Sequence, residues 1–197
     1  MSTVIDTLIY DRTQEDVDRV FTLKRKILRE GLGSLSAEER AEYLGGLKGA
    51  YNYTDLNRVG EAVQYLAGRF TDLPVELKAY RDEKGVADDE LYEVPYDPAS
   101  VVVEPKTDWT VADIPTQTQA KTYLNNLAVL RRQLVLPADT PAVPATLDRL
   151  TFTTANEIEL LLWNINAALV TVEIDLYDRI DRTAVGFFYA GEINCGE

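Results

Sequence analysis

Histidine is absent from this chain, and cysteine occurs only once, at Cys195. Without histidine there is no Ser-His-Asp or Cys-His site, no histidine general base and no histidine-ligated zinc. One cysteine excludes an intrachain disulfide and a CxxC metal site, and it is compatible with a reducing compartment. We expect Cys195 to be an inert thiol, with pairing between subunits as the alternative.

These absences leave carboxylate pairs as the remaining route to catalysis. A pair of carboxylates needs no histidine, but no motif in the sequence sets two carboxylates opposite each other. No glycine-rich phosphate loop follows a predicted strand. We therefore predict that the protein is not an enzyme, and that it binds no cofactor and no metal.

Positive charge and long apolar runs are also scarce. Lys and Arg number 20 against 33 Asp and Glu, which gives a formal net charge of −13. Because an acidic surface repels phosphate backbones and anionic lipid, we expect neither nucleic acid nor a membrane as a partner. No apolar run approaches the roughly 18 residues that a membrane-spanning helix needs, and the N-terminus has no signal-peptide pattern.

Helical patterns dominate the rest of the sequence. Two helix starts have the sequence pattern of a capping box, Ser36 with Glu39 and Thr154 with Glu157. Three further helix starts are marked by the single capping residues Thr13, Thr54 and Thr116. The sequence therefore predicts about five helices.

Apolar side chains at helical spacing indicate which faces are buried. In the first helix the predicted face is Val17, Val20, Phe21, Lys24, Ile27 and Leu28. In the second helix the predicted buried contacts are Ala37, Tyr43, Leu44 and Leu47.

The two most regular apolar faces belong to the third and fifth helices. The third helix repeats Leu56, Val59, Val63, Leu66 and Phe70, and the fifth repeats Ile158, Leu161, Leu162, Ile165, Leu169, Val172, Leu176 and Ile180. Each apolar face needs a partner, so we predict that the two helices pack together. The small residues Gly60 and Ala62 suggest a close approach by another helix.

The segment over residues 71–115 interrupts the helical pattern. It holds five prolines and an acidic run at residues 82–97, and we predict a surface excursion. Removal of residues 82–98 is expected to leave the core intact. Val101, Val102 and Val103 favour a short strand within it. We interpret residues 1–197 as a single domain, a mainly α bundle of about five helices with a small β element and extended termini, including a tail at residues 183–197.

One cluster of polar and aromatic residues suggests an interaction surface. Lys48, Tyr51, Asn57 and Arg58 surround the start of the third helix, and Trp109 follows an extended stretch. A helix start binds anions readily, and a tryptophan face stacks on sugars or peptides. The alternative is that these side chains cap the helix, tie down loops and cover the core.

Two charged segments also allow two interpretations. The acidic run is a solvated loop or a calcium ligand set, and residues 24–29 are a solvated basic face or an anion patch.

Several stretches of the sequence occur in a recognisable order. They are DRT-x-x-DVDR at residues 11–19, S-x-EER-x-EYL-x-GLKGAYNYTDLNRVGEAV-x-YLA at residues 36–67, PKTDWT-x-x-DIPT at residues 105–116, and a YL-x-N helix with LR at residues 123–131. The chain ends in Tyr-Ala-Gly-Glu and Cys-Gly-Glu. In these motifs it resembles a family of structural proteins encoded in phages and prophages of gut Firmicutes, near tail, fibre and lysis genes.

The resemblance implies a virion structural protein of the tail tip, baseplate or fibre, and it transfers no catalytic residue. Its expected partners are other virion proteins and further copies of itself, because the long last helix exceeds the needs of one small core. Its expected location is the virion, assembled in the bacterial cytoplasm. The alternatives are a soluble ligand-binding or host-adhesion module, with a pocket near Trp109 and Tyr51, and a tail assembly chaperone.

Overall fold

The computed structural model describes the backbone of residues 3–192 and the side chains of residues 3–186. Its α-helices are α1 (Gln14–Glu30), α2 (Ala37–Gly45), α3 (Tyr53–Lys84), α4 (Gln117–Arg131) and α5 (Phe152–Glu192). Short 3-10 turns lie at Val4–Thr7, Leu32–Ser34, Glu90–Tyr92 and Pro98–Ser100. The prediction of a mainly α protein with about five helices is confirmed.

Helices α3 and α5 form the centre of the fold. Leu66 and Phe70 on α3 are fully buried, as are Ile158, Leu162 and Ile165 on α5. The two helices contact each other more extensively than any other pair, and α4 packs against both. The predicted pairing of these two apolar faces is therefore confirmed.

Three of the five predicted helix starts are confirmed, and two lie at other residues. The side chains of Thr13, Ser36 and Thr116 each accept the backbone N–H three residues on, as an N-cap does. Helix α3 is capped by Asn52 instead of Thr54, because the Asn52 side chain accepts from the backbone N–H of Thr54. Helix α5 begins earlier than predicted, since Thr151 Oγ1 accepts the backbone N–H of Thr154.

The predicted break after Phe70 is wrong, because α3 continues to Lys84 with Pro74 inside the helix. A proline in a helix interior removes one hydrogen bond and costs roughly 3 kcal/mol. The residues on either side of it offset this cost, since Leu73 and Leu77 are buried in the core.

The remainder of the predicted excursion is not a loose surface loop. Tyr92 is buried and its hydroxyl lies 2.8 Å from the Thr183 hydroxyl. The Tyr96 ring meets Phe70 edge-to-face, with the ring centroids 4.9 Å apart. Because these aromatic side chains belong to the packing, we now expect removal of residues 82–98 to destabilise the core, contrary to the sequence prediction.

Residues 3–192 contain no β-strand, so the predicted β element at residues 101–103 is wrong. The extended segments bind asparagine side chains instead of a neighbouring strand. Asn126 on α4 accepts the N–H of Glu104 at 3.0 Å and donates to its carbonyl at 3.0 Å. Asn156 on α5 makes the same pair of bonds to Arg12, at 3.0 and 2.9 Å. Each asparagine satisfies the backbone N–H and C=O of one residue, as a partner strand would.

Helices α1 and α2 form a hairpin outside the main core, which we call the arm (residues 14–45). Between Ile9 and Ala50, a range that the structure describes fully, no side chain joins that core. Ion pairs link the two helices, from Arg19 to Glu42 at 2.8 Å and from Lys26 to Glu39 at 2.6 Å.

The apolar faces predicted for the arm helices are largely wrong. Leu23, outside the predicted face, is the buried residue of α1, whereas Phe21 is 55% exposed and Leu28 is 75% exposed. On α2, Tyr43 and Leu44 are exposed, as is Ala37. The prediction failed because helical spacing places residues on one face without revealing whether anything covers that face.

The ends of the chain also differ from the predicted extended termini. Ile5 and Leu8 pack into the core, so the described N-terminal segment docks on its own chain. The predicted tail is helical as far as Glu192, the last residue of α5. Residues 193–197, including Cys195, lie outside the described residues.

Candidate functional site

Four charged side chains meet in the interior between the N-terminal segment, α3 and α5. Arg12 Nη2 donates to Asp55 Oδ1 at 2.7 Å and to Glu159 Oε1 at 2.6 Å. Arg58 donates to both oxygens of Glu159 at 2.8 Å and also pairs with Asp55. Two guanidinium groups thus face two carboxylates, and their formal charges cancel. We call this the ion cluster.

The ion cluster is largely shielded from solvent, since Arg12, Asp55 and Glu159 are buried and Arg58 is half-buried. Glu159 is 0% exposed, and its Oε2 also accepts the backbone N–H of Ile9 at 2.7 Å. Burial acts to lower the pKa of Arg58, but the bonds and charges of Glu159 and Asp55 outweigh it and raise that pKa above its usual value. A cluster whose charges neutralise one another holds elements together and presents no free acid or base for catalysis.

Two tyrosines extend the ion cluster toward α4. The Arg12 guanidinium lies 5.5 Å from the centroid of the Tyr51 ring, and the Tyr51 and Tyr123 hydroxyl oxygens are 2.5 Å apart. Burial, together with the charges of Glu159 and Asp55, raises the pKa of both phenols above the usual range. Both phenols therefore stay neutral at physiological pH, and they link α4 to the start of α3.

A second contact joins α3 to the extended segment at residues 104–109. Asn57 accepts the backbone N–H of Trp109 at 2.7 Å and donates to its carbonyl at 2.9 Å. Trp109 is buried, its indole N–H has no hydrogen-bond partner among the described residues, and Lys106 Nζ lies 4.8 Å from its ring centroid. A cavity of about 220 Å³ lies beside Gly60 and Trp109.

Gly60 permits the extended segment to lie directly on α3. A Cβ at this position would lie 2.2 Å from the carbonyl oxygen of Lys106, a distance that real contacts do not reach. The sequence prediction that Gly60 allows a close approach is right, but an extended segment approaches instead of another helix.

We expect Gly60→Ala to lower the free energy of unfolding by about 1–3 kcal/mol, because the clash with backbone displaces residues 104–109. The control is Gly68→Ala on the same helix, where a Cβ would meet nothing nearer than 4.0 Å. That change is expected to stabilise by about 0.5–1 kcal/mol, since alanine favours helix more than glycine does. Denaturant midpoints measure both, and a stabilising Gly60→Ala would contradict the close contact.

A groove of about 690 Å³ lies where the starts of α3 and α4 face the loop at residues 145–150. Its apolar side chains include Leu56, Leu124, Leu147 and Leu150, and charged side chains at its edge are Asp113, Lys121 and Asp148. Val111 and Ile114, on the loop beside it, are 87% and 86% exposed. The groove is thus an apolar surface with a polar edge.

The residues of the predicted interaction surface do not form one surface. Tyr51 lines the groove, Arg58 belongs to the ion cluster, and Asn57 binds the backbone of Trp109. Lys48 lies at the base of the arm, where Nζ is 2.9 Å from Asp11 Oδ2. Their contacts agree with the alternative reading, in which such side chains tie loops to helices and cover the core.

Sequence reasoning missed Glu159 and Arg12, which connect the fold internally. The signal for Glu159 was a carboxylate flanked by the buried Ile158 and Leu162 on an otherwise apolar helix face. A buried carboxylate needs a cation, and the sequence offers Arg12 and Arg58 among other basic residues. Only the tertiary structure identifies which of these basic residues pair with Glu159.

Comparison with known proteins gives no match. No protein-family model, no curated protein and no solved structure is similar to this chain. The side chains of residues 3–186 include no group of three that could hold a metal ion.

By length and composition, one helix within the described residues, Phe152–Gly186, could cross a membrane. This is a weak indication, because core helices of soluble proteins pass the same test and this helix supplies much of the core. The absence of a membrane partner stays a prediction.

Proposed function

We propose that the protein is a non-enzymatic structural subunit of a phage particle, in the tail tip, baseplate or fibre. The assignment to phage depends on the motifs at residues 48–59 and 105–109. The observation that carries the structural role is the presence of large apolar side chains exposed outside the core, on the arm and on α5. Exposed apolar patches of this kind are typical of surfaces that bind other proteins.

The exposed face of α5 supports binding to a protein neighbour. Trp163, Val170 and Ile174 are exposed and spaced so that they share one side of the helix, and Tyr10 lies beside Trp163 with ring centroids 6.2 Å apart. Residues 160–172 contain no charged residue, although the chain has a net charge of −13. A charge-free face on an acidic protein avoids repulsion where two acidic proteins meet.

The interior supports a non-catalytic role. The charges of the ion cluster are neutralised by one another, and the buried Arg81 pairs with Asp88. In the groove, Asp113 accepts the Thr110 backbone N–H at 2.7 Å and the Thr110 hydroxyl at 2.8 Å, bonds that tie down the loop. The groove also favours the second candidate, a ligand-binding or adhesion module, which a glycan array would detect.

The proposal is tested by mass spectrometry of virions purified from the host that encodes the protein. A structural subunit is expected at a stoichiometry comparable to other tail proteins. Presence in infected cells but absence from virions would overturn the proposal in favour of a tail assembly chaperone.

We also expect the protein to self-associate. Light scattering at micromolar concentration should give a mass above that of a single chain, because apolar surfaces remain uncovered in the isolated chain. A single-chain mass at all concentrations would contradict the homo-oligomer, while the virion measurement would still decide the structural role.

A further inference from the structure

We propose that the arm of one copy docks in the groove of a second copy. The inference deepens the proposed function, on which it rests, by naming the two surfaces of the self-contact. The observation that carries it is that both the arm and the groove are apolar, and that the charges beside them are of opposite sign.

The docking face of the arm is apolar and basic. Phe21 and Leu28 are two turns apart on α1, so they share one face, and Leu32 continues it beyond the helix end. Lys24 and Arg25 lie between them on the same side of the helix, and both are exposed. Over residues 21–30 there are four basic residues, of which Lys26 is paired with Glu39, and one acid, Glu30.

This basic character is exceptional on a chain with a net charge of −13. A basic patch on an acidic protein attracts acidic surfaces, and every other copy of the chain presents such a surface. Among possible occupants of the groove, a second copy of the chain is therefore the one that the charges favour.

The groove offers the complementary features. Its floor is apolar, with Leu56, Leu124 and Leu150 among its lining, so it can bury phenylalanine and leucine side chains. Asp113 and Asp148 at its edge outnumber Lys121 and can face the basic residues of the arm. A volume of about 690 Å³ holds several side chains of this size.

The arm is also held in a fixed position relative to the rest of the chain. It lies outside the main core but is fixed at its base, where Lys48 binds Asp11 and Gly49 sits on the backbone of α1. A Cβ at Gly49 would lie 2.2 Å from the carbonyl oxygen of Asp16. An anchored arm loses little conformational freedom when it docks, which favours association.

The first test compares Leu28→Asp with Leu91→Asp by light scattering. Both leucines are exposed in the single chain, at 75% and 62%, so neither change is expected to unfold it. Leu28→Asp places an acid on the docking face and should lose the oligomer, whereas Leu91→Asp lies outside both surfaces and should keep it.

The second test identifies the surface that receives the arm. In a Cys195→Ser background, chains carrying Leu28→Cys are mixed with mass-tagged chains carrying Ile114→Cys and treated with a short bis-maleimide. We expect cross-links between the two kinds of chain, and several-fold fewer when Leu91→Cys replaces Ile114→Cys.

Three results would overturn the inference. They are a wild-type protein that is monomeric, an oligomer that persists unchanged in Leu28→Asp, and cross-linking as efficient at residue 91 as at residue 114. An oligomer that persists in Leu28→Asp leaves the proposed structural role intact and moves the self-contact elsewhere, for example to α5. Absence from purified virions would overturn the proposed function by itself.

Discussion

Glu159→Gln is expected to lower the free energy of unfolding by about 3–5 kcal/mol, because it leaves two buried guanidinium groups with one carboxylate. Each Glu159 oxygen accepts two donors, from Arg12 and Arg58 on one side and from Arg58 and the Ile9 N–H on the other. A glutamine amide replaces one of these acceptors with a donor. The amide NH2 group then faces two N–H donors that have lost their acceptor.

The matched control is Glu157→Gln on the same helix. Glu157 is exposed, so its substitution is expected to change stability by no more than about 0.5 kcal/mol. Guanidinium unfolding followed by circular dichroism measures both variants. A Glu159→Gln midpoint within the range of the control would contradict the ion cluster.

A double variant separates charge imbalance from simple loss of contacts. Arg58→Gln removes one cation, so combining it with Glu159→Gln restores a neutral pair of Arg12 and Asp55. The double variant is therefore expected to lose less stability than the sum of the two single changes. Additive losses would mean that the cluster acts through packing alone.

Leu66→Ala is expected to cost about 2–5 kcal/mol, because it removes buried apolar surface and leaves a cavity between α3 and α5. Leu66 is fully buried on the helix that contacts α5 most extensively. In a domain with about 5–15 kcal/mol of total stability, this loss lowers the melting temperature visibly.

Leu91→Ala is the control for this second prediction. It removes the same side-chain atoms, but Leu91 is 62% exposed and lies outside the arm and the groove, so an effect within about 0.5 kcal/mol is expected. Arg69→Ala, which the apolar pattern alone places off the core, is expected to cost up to about 1 kcal/mol because Arg69 pairs with Glu173 on α5. Equal denaturant midpoints for Leu66→Ala and Leu91→Ala would show that the buried face of α3 is assigned wrongly.

The sequence by itself determined the helices and the pairing of the two longest. Caps such as Ser36 and Thr116 act on N–H groups three residues away, and apolar side chains repeat every three or four residues. Both effects are local, so they are readable from a short window of sequence. The same locality makes the choice between nearby caps uncertain, as Asn52 and Thr54 illustrate.

Only the tertiary structure decided which polar residues meet. Arg12, Asp55 and Glu159 are far apart in sequence, and Asn126 binds the backbone N–H and C=O of Glu104 in an extended segment. Such pairings follow no sequence periodicity, because each polar side chain bonds to a group that only folding brings near it. For this reason the sequence predicted a strand at residues 101–103, where the structure has an extended segment that Asn126 binds at Glu104.

Tertiary packing also overrode local sequence preferences at two places, the end of α3 and the apolar face of α1. Pro74 favours the end of a helix, but the burial of Leu73 and Leu77 continues α3 past it. The apolar face of α1 favoured burial, but no other element within the described residues covers Phe21 and Leu28. In both cases the outcome depends on which surface lies opposite the residue, and a sequence window does not contain that surface.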